Sequence, residues 1–256
     1  MKIDTVTHSG PLESIAPDGR IGVISLATDI NIEQDLRRIY PSTVEIFTSR
    51  VRNINPLTIL NLRSMAPGIG IAADTILPGT KLSAMLFACT SGAVAIGIDR
   101  VEELIHQSCP GVPVTNPLTA ALGAFRSLGA QRISILTPYT EAVNKELALQ
   151  FRGLGVEVLN IAGFGYEDDT AMTYIAPRDI ADAALQICDP SADALFISCT
   201  ALRASLVIDA IERRLGKPVI SSNQALVWHS LHLIGYQQPI TGFGRLLQNN
   251  IKEEVE

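Results

Sequence analysis

Residues 84–92 read AMLFACTSG and residues 194–202 read ALFISCTAL, and the likeness between them decides the fold. Each is an apolar run that ends in a Cys-Thr pair. Three further segment pairs stand in the same order at a nearly constant spacing of roughly 110 residues. RIGVISL (Arg20–Leu26) answers RISILT (Arg132–Thr137), and VEIFTSRV from Val44 answers VEVLNIAG from Val156. GVPVTNPLTAAL from Gly111 answers GKPVISSNQALV from Gly216. One match would mean little, but four in order make the chain a duplication.

Every matched segment is a short β-branched run closed by Gly, Pro, Ser or Asn, the pattern of a buried parallel strand. Helical patterns fall between them at Glu33–Ile39, Gly97–His106, Leu118–Leu128, Glu141–Leu154, Pro177–Ile187 and Ala204–Leu215. Strands alternating with helices imply right-handed crossovers and parallel sheets covered on both faces. The expected fold is α/β: two pseudo-symmetric lobes, each a small parallel sheet flanked by helices, with the active site at their interface. Residues 1–117 form the N-terminal lobe, with 1–18 as an unstructured lead-in, and residues 118–215 form the C-terminal lobe. Residues 216–256 add a last strand and helix that pack back onto the first lobe.

Composition narrows the function. Of 256 residues 47% are hydrophobic, ample for a core, and the net charge of −6 with no Lys/Arg run argues against a nucleic-acid face. No apolar run is long enough for a membrane helix, and the polar start MKIDTVTHSG has no secretory core. Four scattered cysteines without CxxC make the reducing cytoplasm the expected compartment. IGVISLATD stands where a GxGxxG would follow the first strand, and no GxxxxGK[ST] occurs. His8, His106, His229 and His232 show no metal spacing. Neither a cofactor nor a metal is expected.

Ligands of open parallel sheets bind beyond the C-terminal strand ends. Both repeats put a thiol there, Cys89 and Cys199, just ahead of a helix, where the dipole and free N–H groups favour thiolate. Those N–H groups, with the hydroxyls of Thr90, Ser91 and Thr200, suit a carboxylate or a developing oxyanion. Lobes facing each other would set the two thiols on opposite sides of one small ligand. One thiolate then removes a proton or adds, while the other thiol donates a proton. Cys109 and Cys188 have no repeat counterparts and read as packing residues.

Other rim residues carry two readings. Asp29 is a ligand contact or the N-cap of the next helix, and Asn223 likewise. Tyr139 hydrogen-bonds a ligand or packs. Arg50 pairs with a carboxylate or faces solvent, Arg52 faces solvent, and His229 beside Trp228 packs.

ACTSG at Cys89, LTPY ending at Tyr139, SCTAL at Cys199 and PVISSNQALVW through Asn223 together resemble the aspartate/glutamate racemase superfamily. The likeness is closer to its branch of maleate cis–trans isomerases and arylmalonate decarboxylases. TDINIEQDLRR (Thr28–Arg38) is similar to the ectoine-utilisation proteins of that branch. The resemblance implies a cofactor-independent racemase or isomerase of a small amino or carboxylic acid, and a homo-oligomer. It makes Cys89 the nucleophile or first acid/base, Cys199 the second, and Tyr139 a substrate contact. Asparagines that contact substrate in maleate isomerase fall at Asp29 and Asp169 here. A carboxylate there repels a dicarboxylate and pairs with an ammonium group. Arylmalonate decarboxylases work with one such cysteine, at the position of Cys199, so two thiols favour isomerisation or racemisation. Maleate isomerisation, decarboxylation and ligand binding without turnover remain the alternatives.

Overall fold

The segment Gly19–Leu26 forms strand β1, buried along its length except at Arg20, at the centre of the first sheet. The computed structural model describes residues 1–248; the expected C-terminal segment 216–256 runs past these, and its residues 249–256 lie outside the described residues. No helix or strand forms before Gly19.

After β1 come α1 (Ile32–Ile39), β2 (Val44–Val51), α2 (Ile59–Arg63), α3 (Ala66–Asp74), β3 (Ala84–Ala88), α4 (Thr90–Ile96), α5 (Ile98–His106), β4 (Val114–Thr115) and α6 (Pro117–Leu128). The second repeat runs β5 (Arg132–Thr137), α7 (Glu141–Gly153), β6 (Glu157–Gly163), α8 (Asp169–Thr173), α9 (Pro177–Ile187), β7 (Ala194–Ile197), α10 (Ile208–Leu215), β8 (Val219–Ser221), α11 (Ser222–Leu233) and α12 (Arg245–Gln248). The strands form two four-stranded parallel sheets, ordered β2-β1-β3-β4 and β6-β5-β7-β8. The α/β fold with two repeated parallel sheets is as the sequence predicts.

In each order the chain reverses direction at the two central strands, β1/β3 and β5/β7. That switch point opens a crevice beyond their C-terminal ends. Thr28, Asp29 and Cys89 follow one pair, and Tyr139 and Cys199 follow the other.

The helices form for ordinary reasons. In α1, Ile32, Leu36 and Ile39 line the buried face, with Glu33 in the first turn and Arg37 and Arg38 in the last, as the helix dipole favours. Asn116 caps α6 by accepting from the N–H groups of Leu118 and Thr119, and Gly129 closes it at φ 67°, a conformation that favours glycine.

Helices α2, α3, α8 and α12 form where none was expected, and two further stretches differ from expectation. The expected helix Gly97–His106 is preceded by a separate one, α4, buried at six of its seven positions. A helix buried all round shows no amphipathic period, so TSGAVAI carries no signal. The expected helix Ala204–Leu215 breaks into a 3-10 turn at Ala204–Leu206 and α10. Ser205 in that turn is tied to Asp35 of α1, and Arg203 to the carbonyl of Ile175.

The two repeats share their helices. Phe125 of α6 packs with Phe151 of α7 and Phe196 of β7, ring centroids 5.5–5.8 Å apart, in the core of the second sheet. Helix α11, which follows the second sheet, packs on α6, α1 and β3 of the first repeat. Among the described residues no helix is long and apolar enough to cross a membrane.

Candidate active site

Cys89 ends β3 and serves as N-cap of α4, its sulfur accepting the N–H of Gly92 at 3.2 Å with the Ser91 hydroxyl 3.7 Å away. Gly92 permits this approach: a Cβ there would lie 2.9 Å from the sulfur and 3.0 Å from the terminal methyl of Met65.

Cys199 follows β7 with φ 120°, a region that favours glycine and costs a side-chain-bearing residue about 1–3 kcal/mol. Its N–H donates to the hydroxyl of Ser222 at 3.0 Å, and that hydroxyl lies 2.9 Å from the Thr90 hydroxyl. Ser222, the first residue of α11, thus joins the two cysteine turns. Thr200 closes them from the other side, donating to Asp29 Oδ2 at 2.8 Å and to the carbonyl of Ala88 at 3.3 Å.

Tyr139 is buried close enough to both cysteines for them to raise the pKa of its phenol. Thr137 and Asn144 hold its backbone: the Thr137 hydroxyl accepts from the Tyr139 N–H at 3.0 Å and donates to Asn144 Oδ1 at 2.6 Å. The carboxyl of Asp169 lies close enough to raise the pKa of both thiols. It accepts from the Thr28 hydroxyl, which also bonds Asn53, so Asp169 of the second repeat reaches the first strand loop of the first.

Loops from the two repeats meet over this site. Leu57 N–H donates to the Glu167 carbonyl at 2.8 Å, and Asn55 bonds both the Asp168 carboxylate and the Asp169 N–H. Cys89 is 3% exposed, Cys199 5% and Tyr139 2%, so the site is closed.

Burial dominates the electrostatics. It pushes the Cys89 thiol up to about 12, Asp169 and Asp29 adding to the rise and the Gly92 N–H and Ser91 hydroxyl opposing it. Burial and then Asp169 raise Cys199 well above the ordinary thiol range, with the nearby Tyr139 phenol opposing the rise. The sequence led us to expect helix N-termini to favour thiolate. Here desolvation and two acidic neighbours outweigh that effect, and both thiols hold their protons at rest. Burial also lifts the Asp169 carboxyl to about 6, and Asp29 is raised for the same reason.

The expected residues Cys89, Cys199, Thr90, Ser91, Thr200, Tyr139, Asp29 and Asp169 therefore come together. Asp29 spends its carboxylate within the protein, on the N–H groups of Asn31 and Ile32 and on Thr200, which combines a cap-like role with the lobe contact. Asn223 does not cap its helix; Ser221 does, in a capping box with Gln224. The Asn223 amide donates to Asp35 Oδ2 and to the Thr200 carbonyl, each at 2.9 Å, while its oxygen is buried without a partner.

Arg50 fastens the loop after β1, donating to the carbonyls of Leu26, Ala27 and Asp29 and pairing with Glu33 at 3.2 Å. Arg52 is exposed. His229 bonds the Thr115 hydroxyl at 2.8 Å and stacks on Trp228. Cys109 and Cys188 are half-buried at the edge of the core. Among the described residues no three His, Cys, Asp or Glu side chains gather to hold a metal.

Sequence reasoning missed Asn31, Asp35, Asn53 and Asn55. The one local signal was the four-residue spacing of Asn31 and Asp35, which puts their side chains on one helix face.

Known proteins share both fold and sequence with this chain. Arylmalonate decarboxylase from Bordetella bronchiseptica is 29% identical over 182 residues, covering 70% of this chain and 72% of that protein. A cysteine-to-alanine variant of the maleate isomerase Iso from Pseudomonas putida S16, in a structure with maleate, superposes with a TM-score of 0.84 at 21% identity, over 91% of this chain and 99% of that one. A Nocardia farcinica maleate cis-trans isomerase mutant with a covalently bound succinylcysteine intermediate superposes at 0.83 and 20% identity, over 90% and 98% of the two chains. The arylmalonate decarboxylase family model matches residues 74–247, which hold both cysteine turns, Tyr139 and Asp169. The chain belongs to the arylmalonate decarboxylase family.

Proposed function

We propose that the protein is a cofactor-independent isomerase of a small carboxylic acid, working through Cys89 and Cys199. The observation that carries this reading is the meeting of two strand-end thiols in one closed site with Tyr139 and Asp169. The relatives named maleate isomerase, one caught as a succinylcysteine, favour thiol chemistry of this kind.

Two routes use the same pair. In a proton route, one thiolate takes the α-proton and becomes a thiol, and the electron pair passes into the substrate carboxylate as an enediolate. The other thiol then protonates the opposite face. In an addition route, one thiolate forms a C–S bond to an alkene carbon, and the enediolate rotates about the former double bond. Loss of the thiolate restores the alkene in the other geometry. In both, N–H groups at the start of α4 face the carboxylate charge. The attacking thiol must first lose its proton, a step that burial and the Asp169 charge oppose in the resting site.

The finer reading is an amino-bearing acid and a racemase. Asp29 and Asp169 make the wall acidic, which disfavours a dicarboxylate and lowers its cost for a substrate with an ammonium group. The likeness of Thr28–Arg38 to ectoine-utilisation proteins fits a place in ectoine breakdown. The test is NMR in D₂O with small amino acids, ectoine-breakdown acids, maleate and an arylmalonate. Deuterium at the α-carbon supports the proton route. Maleate turning to fumarate supports addition, and CO₂ release would replace isomerase by decarboxylase. Tight binding with no conversion of any of these acids would replace enzyme by binding protein.

A further inference from the structure

Asp35 lies on α1, outside the cysteine turns, with no exposed surface, and the structure surrounds its carboxylate with four donors. Oδ1 accepts from the Ser205 hydroxyl at 2.8 Å and from Arg38 at 3.2 Å. Oδ2 accepts from the amides of Asn31 at 3.2 Å and Asn223 at 2.9 Å. Those same two amides donate to the Thr200 carbonyl, at 3.0 Å and 2.9 Å, and Asn31 also reaches the Leu202 carbonyl. A carboxylate accepts hydrogen bonds only, so it fixes both amides with their nitrogens toward Thr200. The carbonyl so held belongs to the peptide after Thr200, one residue on from Cys199, whose φ of 120° needs an outside restraint to persist.

We propose that Asp35 is a positioning residue for Cys199. Through Asn31 and Asn223 it clamps the Thr200 carbonyl, and so keeps the Cys199 backbone in the strained conformation that fixes where its thiol stands. The clamp draws on three elements: α1, the turn after β7, and α11. Cys89 has no equivalent, since its φ of −150° is ordinary extended backbone. The effect on turnover rests on the reading that Cys199 takes part in catalysis; the geometric clamp does not.

The test compares wild type with Asp35→Asn and Asn31→Ala. Asp35→Asn turns an acceptor into a group that must present hydrogens to one of the amides. Asn31→Ala removes one amide and leaves Asp35 its other three partners, so it carries the test if Asp35→Asn does not fold. Iodoacetamide labelling of each cysteine is followed by peptide mass spectrometry at one pH, with circular dichroism to confirm folding. Released from strain, the Cys199 turn opens. Its labelling rate rises at least fivefold relative to that of Cys89, while kcat on the acid found by the exchange panel falls at least tenfold and KM changes less than threefold. Equal acceleration of both thiols marks general loosening and overturns the proposal, as does a ratio change below fivefold in the folded variants. If Cys199→Ser retains turnover, the functional reading fails, and the labelling ratio still decides the clamp.

Discussion

Thr200 of the second repeat donates its hydroxyl to Asp29 of the first at 2.8 Å, so the turn carrying one thiol is fastened to the strand loop of the other repeat. Thr200→Val removes that donor and leaves a buried carboxylate oxygen unpaired, a loss of about 1–3 kcal/mol. The variant is expected to melt several degrees lower, and Thr200→Ser to recover most of the loss. Equal melting temperatures for Val and wild type would contradict this role.

Asp169 gives stability a pH dependence of unusual sign for a carboxyl. Its folded pKa of about 6 lies above the ordinary value of 3.8, so the folded chain binds the proton more tightly than the unfolded chain. Stability from this group is full below about pH 4 and falls as pH rises toward 6, by about 2–3 kcal/mol, remaining lower above that. Asp169→Asn keeps an acceptor for Thr28 and removes the charge. It should be more stable than wild type at pH 7.5 and indistinguishable at pH 4 in denaturant titrations. Asp29, raised in the same direction, adds a slope of the same sign.

The thiols should react slowly at neutral pH. With Cys89 pushed up to about 12, its thiolate fraction at pH 8 is on the order of 10⁻⁴. Iodoacetamide labelling of the ligand-free protein should therefore climb about tenfold per pH unit from 7 to 10. Asp169→Asn should speed both cysteines above pH 6, since that carboxylate raises both thiols. A plateau below pH 8 would contradict the resting state described above.

Gly92→Ala sets two effects against each other. Alanine is the better helix former by up to about 1 kcal/mol. Its Cβ would stand 2.9 Å from the Cys89 sulfur and 3.1 Å from the Phe87 ring, and overpacking of that kind costs about 1–3 kcal/mol. Sterics win, so we expect a lower melting temperature together with lost turnover. A more stable, fully active variant would show that the neighbours give way.

The sheets and the thiol pair were legible because strand cores and strand ends are local features repeated in the sequence. AMLFACT and ALFISCT carry both the apolar run and the turn that stops it. Helix α4 was not legible, because its residues are apolar or small on every face. The protonation state was not legible either, because it depends first on burial and then on Asp169 of the second repeat, whose charge reaches Cys89 of the first as well as Cys199. Asn31 and Asp35 read as ordinary polar positions on an amphipathic helix. Their importance comes from Thr200 and Asn223, which the sequence places about 170–190 residues away and only the packing of the repeats brings near.

The most direct measurement is turnover by Cys89→Ser and Cys199→Ser beside wild type, on the acid panel in D₂O, followed by NMR. The account predicts α-deuteration or double-bond isomerisation of at least one acid by wild type. It also predicts loss of that reaction by at least a thousandfold in each variant, with melting temperatures close to wild type. Wild-type rates in either serine variant would contradict two-thiol catalysis at this site.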